Sequence, residues 1–300
     1  MEKILKRLLP YFSLGLGVII LGFSAIFVRQ ADAPSVVLNL YRMGTAAVIL
    51  TVPFLVQQGK NRDKLSRSGI LFAVLGGAVF SLDLVFWSAG VQLAGPTNPT
   101  LMANTAPLWV GLGAALFLKE KRGGLFWTGL LIALIGTFLI LGLDLQASRE
   151  AGLGTALGLI GSFFYGGYFL LTQRGRVYLN VLQYFWIAVV SASSLLALVA
   201  LIQGAPLLGY SRSTYLNLFA LGVLVQGLGW FVLNFAQGYL PAAIVAPSLL
   251  GQPVITALLS HFLLGEHFTW AEAVSGSIVL LGVLLVHRSR QLPSRKGPPS

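Results

Sequence analysis

The stretch PLWVGLGAALFLKEK at residues 107–121 has an echo 146 residues later, PVITALLSHFLLGEH at 253–267. Each copy opens on a proline, runs through mostly apolar residues and reaches a glutamate, Glu120 in one and Glu266 in the other. The same shift lays Gly15 on Gly161, Gly76 on Gly222 and Gly136 on Gly282. Five landmarks in one register, with matching hydropathy around them, read as a duplicated unit.

The surroundings say what kind of unit it is. Hydrophobic residues make up 56% of the chain and charged residues only 10%, with a mean hydropathy of +0.82. A soluble domain of this length needs more charge to cover its surface. Apolar runs long enough to cross a ~30 Å hydrocarbon core recur along the whole length. They fall at 11–29, 35–56, 69–93, 97–118, 124–143, 153–172, 178–202, 214–238, 241–264 and 270–287. Five spans belong to each copy. Five is odd, so the second copy enters the membrane from the opposite side. The expected fold is all-α and integral to the membrane, ten transmembrane helices in two inverted five-helix repeats. The first repeat occupies 1–148 and the second 149–287, and 288–300 forms a basic tail expected to be disordered and cytoplasmic. Inverted repeats are an architecture of secondary transporters, which hold substrate near the midplane between the halves.

Charge orients the chain. The formal net charge is +11, which in a soluble protein would suggest a nucleic-acid partner. Here the basic residues sit in short loops between spans, where they act as topology signals. With the N-terminus inside, 16 of the 20 Lys and Arg fall on that side. Arg29, Arg149 and Arg212 fall outside, and Arg42 lies within a span. Both termini are therefore expected in the cytoplasm of a cell with the protein in its inner membrane. A basic start, an apolar run and ADA at 31–33 imitate a cleaved secretory signal. Pro34 directly after the cleavage point, and the repeat's need for the first span, argue that this segment stays. The chain has no cysteine, so disulfides and thiolate metal sites are excluded.

The segments that carry the duplication also resemble a known family. PLWVGLGAALFLKEK (107–121), followed by a span with Trp127, Gly129 and Gly136, looks like the end of an EamA domain. GQPVITALLSHFLLGEHFTWAEAVSGSIVLLG (251–282) looks like the same ending in a second copy. DLVFWSAGVQLAGPTNPTLMANTAPL (83–108) resembles one subgroup, with Asp, Trp and two Asn in matching places. The resemblance covers the chain to about residue 287. It implies the drug/metabolite transporter superfamily: two inverted five-helix units and export of small metabolites such as amino acids. One departure matters: Gly229 stands opposite Asp83, so the halves are not chemically equivalent.

Asp83 is the first candidate for function. A carboxylate inside a span costs about 2.5–3.5 kcal/mol on insertion scales, so it needs a cavity or a partner. It lies roughly 15 Å below the outer end of the third span, and Arg42 roughly 12 Å below that of the antiparallel second. Matching depth allows a structural ion pair between them. It also allows Asp83 to bind substrate or a proton while Arg42 snorkels. Phe80, Asp83, Trp87 and Val91 share one helical face, as do Gln226, Trp230, Asn234 and Gln237. An aromatic stripe usually means packing, but Asp, Asn and Gln interleaved with Trp suit a cavity for an amphipathic solute. Pro107 and Pro253 interrupt corresponding spans and withdraw hydrogen bonds from the carbonyls of Ala103 and Leu249. Paired interruptions point to a transport site, though a packing kink explains them equally well. Asn104, Ser248 and Gln252 lie close by. The expected binding set is Phe80, Asp83, Trp87, Asn104, Gln226, Trp230, Asn234, Gln237 and Gln252, with Arg42, Pro107 and Pro253 structural or coupling.

Other polar residues have structural explanations. Asn98 before Pro99 reads as an N-cap, and Thr269 with Glu272 as a capping box. His261, His267 and His287 sit near span ends with no ligand-like spacing, so no metal is expected. No GxxxxGK[ST] motif implies a nucleotide, and no cofactor is expected. The reading is a secondary transporter, exporting amino acids or similar amphipathic metabolites by alternating access, with proton coupling through Asp83 as an option. The expected partners are a small-molecule substrate and the lipid bilayer, with no nucleic acid; oligomeric state has no signature. The alternatives are a channel, against which no filter-like loop or charge ring appears, and a membrane enzyme, against which no nucleophile–base grouping appears.

Overall fold

A computed structural model describes residues 2–61, 65–94, 97–141, 149–265 and 269–289. Ten helices are long and apolar enough to cross a membrane. The first unit holds α1 (Glu2–Gly22, continued by Ser24–Gln30), α2 (Ser35–Asn61), α3 (Arg67–Ala94), α4 (Thr97–Ala103, continued by Ala106–Phe117) and α5 (Gly124–Leu141). The second holds α6 (Arg149–Gly175), α7 (Val181–Ile202), α8 (Arg212–Ala220, Leu221–Trp230 and Phe231–Gln237), α9 (Ala242–Ser248, Leu249–Gly251 and Gln252–Leu264) and α10 (Trp270–Ser289). No strand occurs among the described residues. The tail read at 288–300 lies outside them beyond residue 289.

Packing shows the two-fold relation that the repeat implies. Helix α3 packs on α6 and α7, and α8 packs on α1 and α2, the same pairs with the units exchanged. Helices α5 and α10, counterparts of each other, meet backbone to backbone. A Cβ on Gly136 would come within 2.7 Å of the Val279 nitrogen, and one on Gly282 within 2.3 Å of the Ala133 nitrogen. Residues 133 and 136 are the counterparts of 279 and 282. Each contact is thus the image of the other, as a two-fold axis requires. Small residues at such a seam let membrane helices approach closely without a hydrophobic driving force. The outer faces carry exposed apolar side chains such as Val48, Leu116, Phe117 and Ile202, the surface that lipid covers.

Several spans are not continuous α-helix. In α4 the ladder breaks at Asn104 and Thr105, just before Pro107. In α9 a 3-10 turn, Leu249–Gly251, precedes Pro253. That turn corrects one expectation: the Leu249 carbonyl is not left free, because the Gln252 N–H bonds it three residues on. The middle of α8, Leu221–Trp230, is π-helix, a widened form that recurs at functional sites. Among the caps, Thr269 and Glu272 form the expected box, with Glu272 N–H donating to Thr269 Oγ1 at 3.2 Å and Thr269 N–H donating to the Glu272 carboxylate at 2.7 Å. Asn98 does not cap α4, because the helix already begins at Thr97 and Asn98 falls inside its first turn.

Candidate functional site

A cavity of about 340 Å³ lies between the two units. Its walls come from the parts of α1 to α5 near the face away from the chain's ends, together with α6, α8 and α9. It is the size of a site for a small metabolite.

Opposite charges line this cavity without meeting. Asp83 is only 6% exposed and borders the cavity. Arg42 borders it too, but its Nε donates to Gln226 Oε1 of α8 at 2.8 Å. Among the described residues the one ion pair is Arg122 with Glu120, so Arg42 and Asp83 are not bonded to each other. Among the described residues, neither the Arg42 terminal nitrogens nor the Asp83 carboxylate has a hydrogen-bond partner. Room for that carboxylate comes from Gly161 on α6, where a Cβ would stand 3.3 Å from Asp83 Oδ1. A helix-long apolar segment can hold Asp83 because a cavity, rather than lipid, receives it.

Aromatic rings complete the walls. Phe80, Trp87, Tyr165 and Trp230 all border the cavity. Phe80 stacks on Tyr165 with ring centroids 6.0 Å apart and 8° between planes, and Trp230 lies 4.9 Å from Phe80. Trp87 is fixed by donating from Nε1 to Thr100 Oγ1 at 3.0 Å. The buried Nε1 of Trp230 and Oδ1 of Asn39 have no partner, and both residues line the cavity. Asn104, Gln252 and Pro253 line it as well. Gln252 and Thr256 reach across to α1, donating to the Leu21 and Gly22 carbonyls at 3.1 and 2.9 Å. Those two bonds satisfy the break that separates the two pieces of α1.

Three of the expected binding residues are elsewhere. Gln226 stands behind Arg42 and positions it. Asn234 donates to Tyr168 Oη and to the Trp230 carbonyl, both at 2.9 Å, below the cavity floor. Gln237 donates to the Phe169 carbonyl at 3.4 Å, lower still. The shared helical face predicted for these residues assumed an α-helix throughout; the π stretch shifts Gln226 against Trp230, whereas Asn234 and Gln237 follow Trp230 in regular α-helix and are simply deeper. Pro107 lines a separate small void rather than the cavity. Reading by charge missed Tyr165 and Asn39. A stripe was there to find: Gly161, Tyr165 and Tyr168 follow i, i+4, i+7 on α6.

The opposite side of the cavity is shut. Below Trp230 and Tyr165 come Tyr168, Phe169 and Asn234, all buried. At the face that bears the chain's ends, Gln173 of α6 donates from Nε2 to Glu120 at 2.7 Å, and its Oε1 accepts the Ala242 N–H of α9 at 2.6 Å. Arg176 donates to the Asn234 carbonyl at 3.1 Å. Among the described residues, hydrogen bonds fasten the face that bears the chain's ends and none spans the cavity at the other, and the cavity ends near the middle of the molecule.

Such a half-channel between inverted units is a carrier's geometry, and the family is matched along the chain. The profile of the EamA-like transporter family fits residues 8–142 and again 152–288. The chain belongs to the EamA-like transporter family. That places it in the drug/metabolite transporter superfamily, as a multi-pass membrane transporter. Among its relatives, an S-adenosylmethionine uptake transporter of Rickettsia bellii (strain RML369-C) is 23% identical over 257 residues, 83% of this chain and 82% of the relative. The Bacillus subtilis (strain 168) protein named uncharacterized transporter YdfC is 24% identical over 221 residues, covering 71% of this chain and 70% of its own. A crystal structure superposes with a TM-score of 0.79 at 17% identity, over 94% of this chain and 98% of that one, which shows the shared fold.

Proposed function

We propose that this EamA-like protein is a secondary transporter for small amphipathic solutes that carry both an ammonium and a carboxylate, amino acids and their derivatives. The observation that carries this reading is the unbonded pair of charges in one aromatic cavity. Arg42 offers free N–H donors to a carboxylate, and Asp83 offers a free carboxylate to an ammonium. A zwitterion satisfies both at once, and charge-assisted bonds of this kind are the strong ones. The rings of Phe80, Trp87 and Trp230 suit the apolar part of the solute and a second cationic centre. S-adenosylmethionine, named for the Rickettsia relatives, is an amino-acid derivative with such a centre. It is the first solute to test beside free amino acids.

The charge bias of the loops supports an inner-membrane protein with both termini in the cytoplasm. The cavity then faces outward, and alternating access requires a second state open to the cytoplasm. No nucleotide-binding motif supplies a power stroke, so net movement follows the gradients of solute and any coupled ion. For a metabolite made inside the cell, that direction is export. Asp83 can also take up and release a proton as access alternates. The test is counterflow in proteoliposomes of purified protein preloaded with unlabelled amino acid or S-adenosylmethionine. Saturable, stereospecific exchange supports the carrier. Flux that rises linearly with concentration would indicate a channel and overturn it.

A further inference from the structure

The two interrupted helices face each other across a small void that no part of the proposed binding site uses. The void, about 20 Å³, is the size of a single water. On one side it meets Ala106 and Pro107, just past the break in α4, and on the other Ala246, Leu249 and Leu250, at the 3-10 turn of α9. It lies on the fastened side of the cavity. Three residues border both spaces: Ala103, Asn104 and Tyr165. Ala103 is a methyl group on the α4 backbone. The Asn104 side chain is tied down, its Nδ2 donating to the Thr100 carbonyl at 2.8 Å. Tyr165 is different. Its ring is large, its hydroxyl has no hydrogen-bond partner among the described residues although it stands within electrostatic reach of Asp83 and Arg42, and three rings surround it: Phe80 at 6.0 Å, Phe169 at 5.1 Å and Trp230 at 5.9 Å. A ring held without a hydrogen bond turns about its two torsions without breaking one.

We propose that the solute path runs from the cavity into the void between the interrupted helices α4 and α9, and that the Tyr165 ring is the movable partition between them. The interruptions then have a use beyond kinking. Irregular backbone lets two helices part locally without unzipping a continuous hydrogen-bond ladder, and at membrane depth it belongs where it lines a passage. Tyr165 is a positioning residue in this account: it divides the path and need not bind the solute's charges. The inference rests on the carrier reading, but its test needs no solute.

The chain contains no cysteine, so single-cysteine variants report without background. Ala257→Cys lies on the cavity wall and Ala246→Cys on the void. Each is exposed, in right-side-out vesicles, to a small membrane-impermeant methanethiosulfonate bearing an ammonium. Ala257→Cys should label quickly in every background, which also shows that each variant is folded. Ala246→Cys should label slowly with Tyr165 present and equally slowly with Tyr165→Phe, which keeps the ring. With Tyr165→Ala, and with Tyr165→Leu as the milder replacement, its rate should rise by about tenfold or more, as for a passage otherwise open in only about 0.1–10% of molecules. Equal rates for Ala246→Cys with Tyr165 and with both ring-less variants would overturn the proposal. So would fast labelling of Ala246→Cys while the ring is present. Failure of Ala257→Cys to label would instead overturn the outward-facing cavity itself, and with it the carrier reading.

Discussion

The two units share a backbone plan and differ at the cavity and at the fastened face below it. At the face bearing the chain's ends, Glu120, Gln173 and the Ala242 N–H form a chain of hydrogen bonds joining the end of α4 to α6 and α9. The counterparts of these three groups, 146 positions away, are Glu266, Phe27 and Pro96. A phenylalanine has no amide to relay the bond, and a proline has no N–H to complete it. The fastening can therefore be built at one face only. The cavity end shows the same asymmetry: Arg42 and Asp83 of the first unit have Ala188 and Gly229 as their counterparts in the second. Duplication supplied a symmetric frame, and a handful of side chains decides which face is closed and where the charges stand.

The comparison is broken most severely at the charges. Asp83→Asn and Arg42→Gln should each raise the half-saturation concentration for zwitterions by about ten- to a hundredfold, the value of a charge-assisted hydrogen bond at about 1.5–3 kcal/mol. Because the two side chains are not bonded to each other, the double variant should not regain flux. Proteoliposome exchange at matched protein density measures this, and recovery in the double variant would restore the ion-pair reading. If Asp83 also carries a proton, Asp83→Asn should flatten the dependence of flux on pH.

The symmetric frame is tested at its seam. Gly282→Ala places a Cβ against the Ala133 backbone, a site that cannot yield as a flexible side chain would. It should cost about 1–3 kcal/mol of stability, as overpacking does. Gly15→Ala, with nothing within 4 Å of the added Cβ, should be nearly silent. Thermal unfolding in detergent separates the two.

A smaller effect is expected at the fastening. Glu120→Gln keeps an acceptor for Gln173 but removes its charge, and should make the closed face open more often by about twofold to tenfold, for a bond weakened by roughly 0.5–1.5 kcal/mol. Accessibility of a cysteine placed at Ala246, probed from the face that bears the chain's ends, reads it out. The converse graft sharpens the point. Phe27→Gln alone should change nothing, whereas Phe27→Gln with Pro96→Ala should slow labelling from the open side. The smallest effect belongs to Pro107→Ala. The α4 ladder already breaks at Asn104 and Thr105, so one regained N–H should slow exchange by no more than about threefold, less than one hydrogen bond's worth.

The frame was legible because bilayer physics writes it into composition. Span length, the lysine and arginine bias and the odd number of spans per copy follow from a ~30 Å hydrocarbon core and the cost of bare backbone within it. The same cost marked Asp83 and Arg42 as residues needing company, whatever the company proved to be. Pro107 and Pro253 announced interruptions, since a missing N–H is a local fact. What stood opposite them was not local. That Arg42 is held by Gln226 rather than by Asp83 depends on how α2 meets a π-helical stretch of α8, and no periodicity in one segment encodes that meeting. Asn234 and Gln237 follow Trp230 in regular α-helix, but one and two turns deeper, and depth removes them from the cavity. Tyr165 carries no charge to give it away. Its place at the junction of two spaces arises from α6 crossing both interrupted helices. Residue chemistry and spacing determine spans and which groups cannot face lipid. Which groups face one another is decided between helices far apart in the chain, by packing that only the assembled bundle provides.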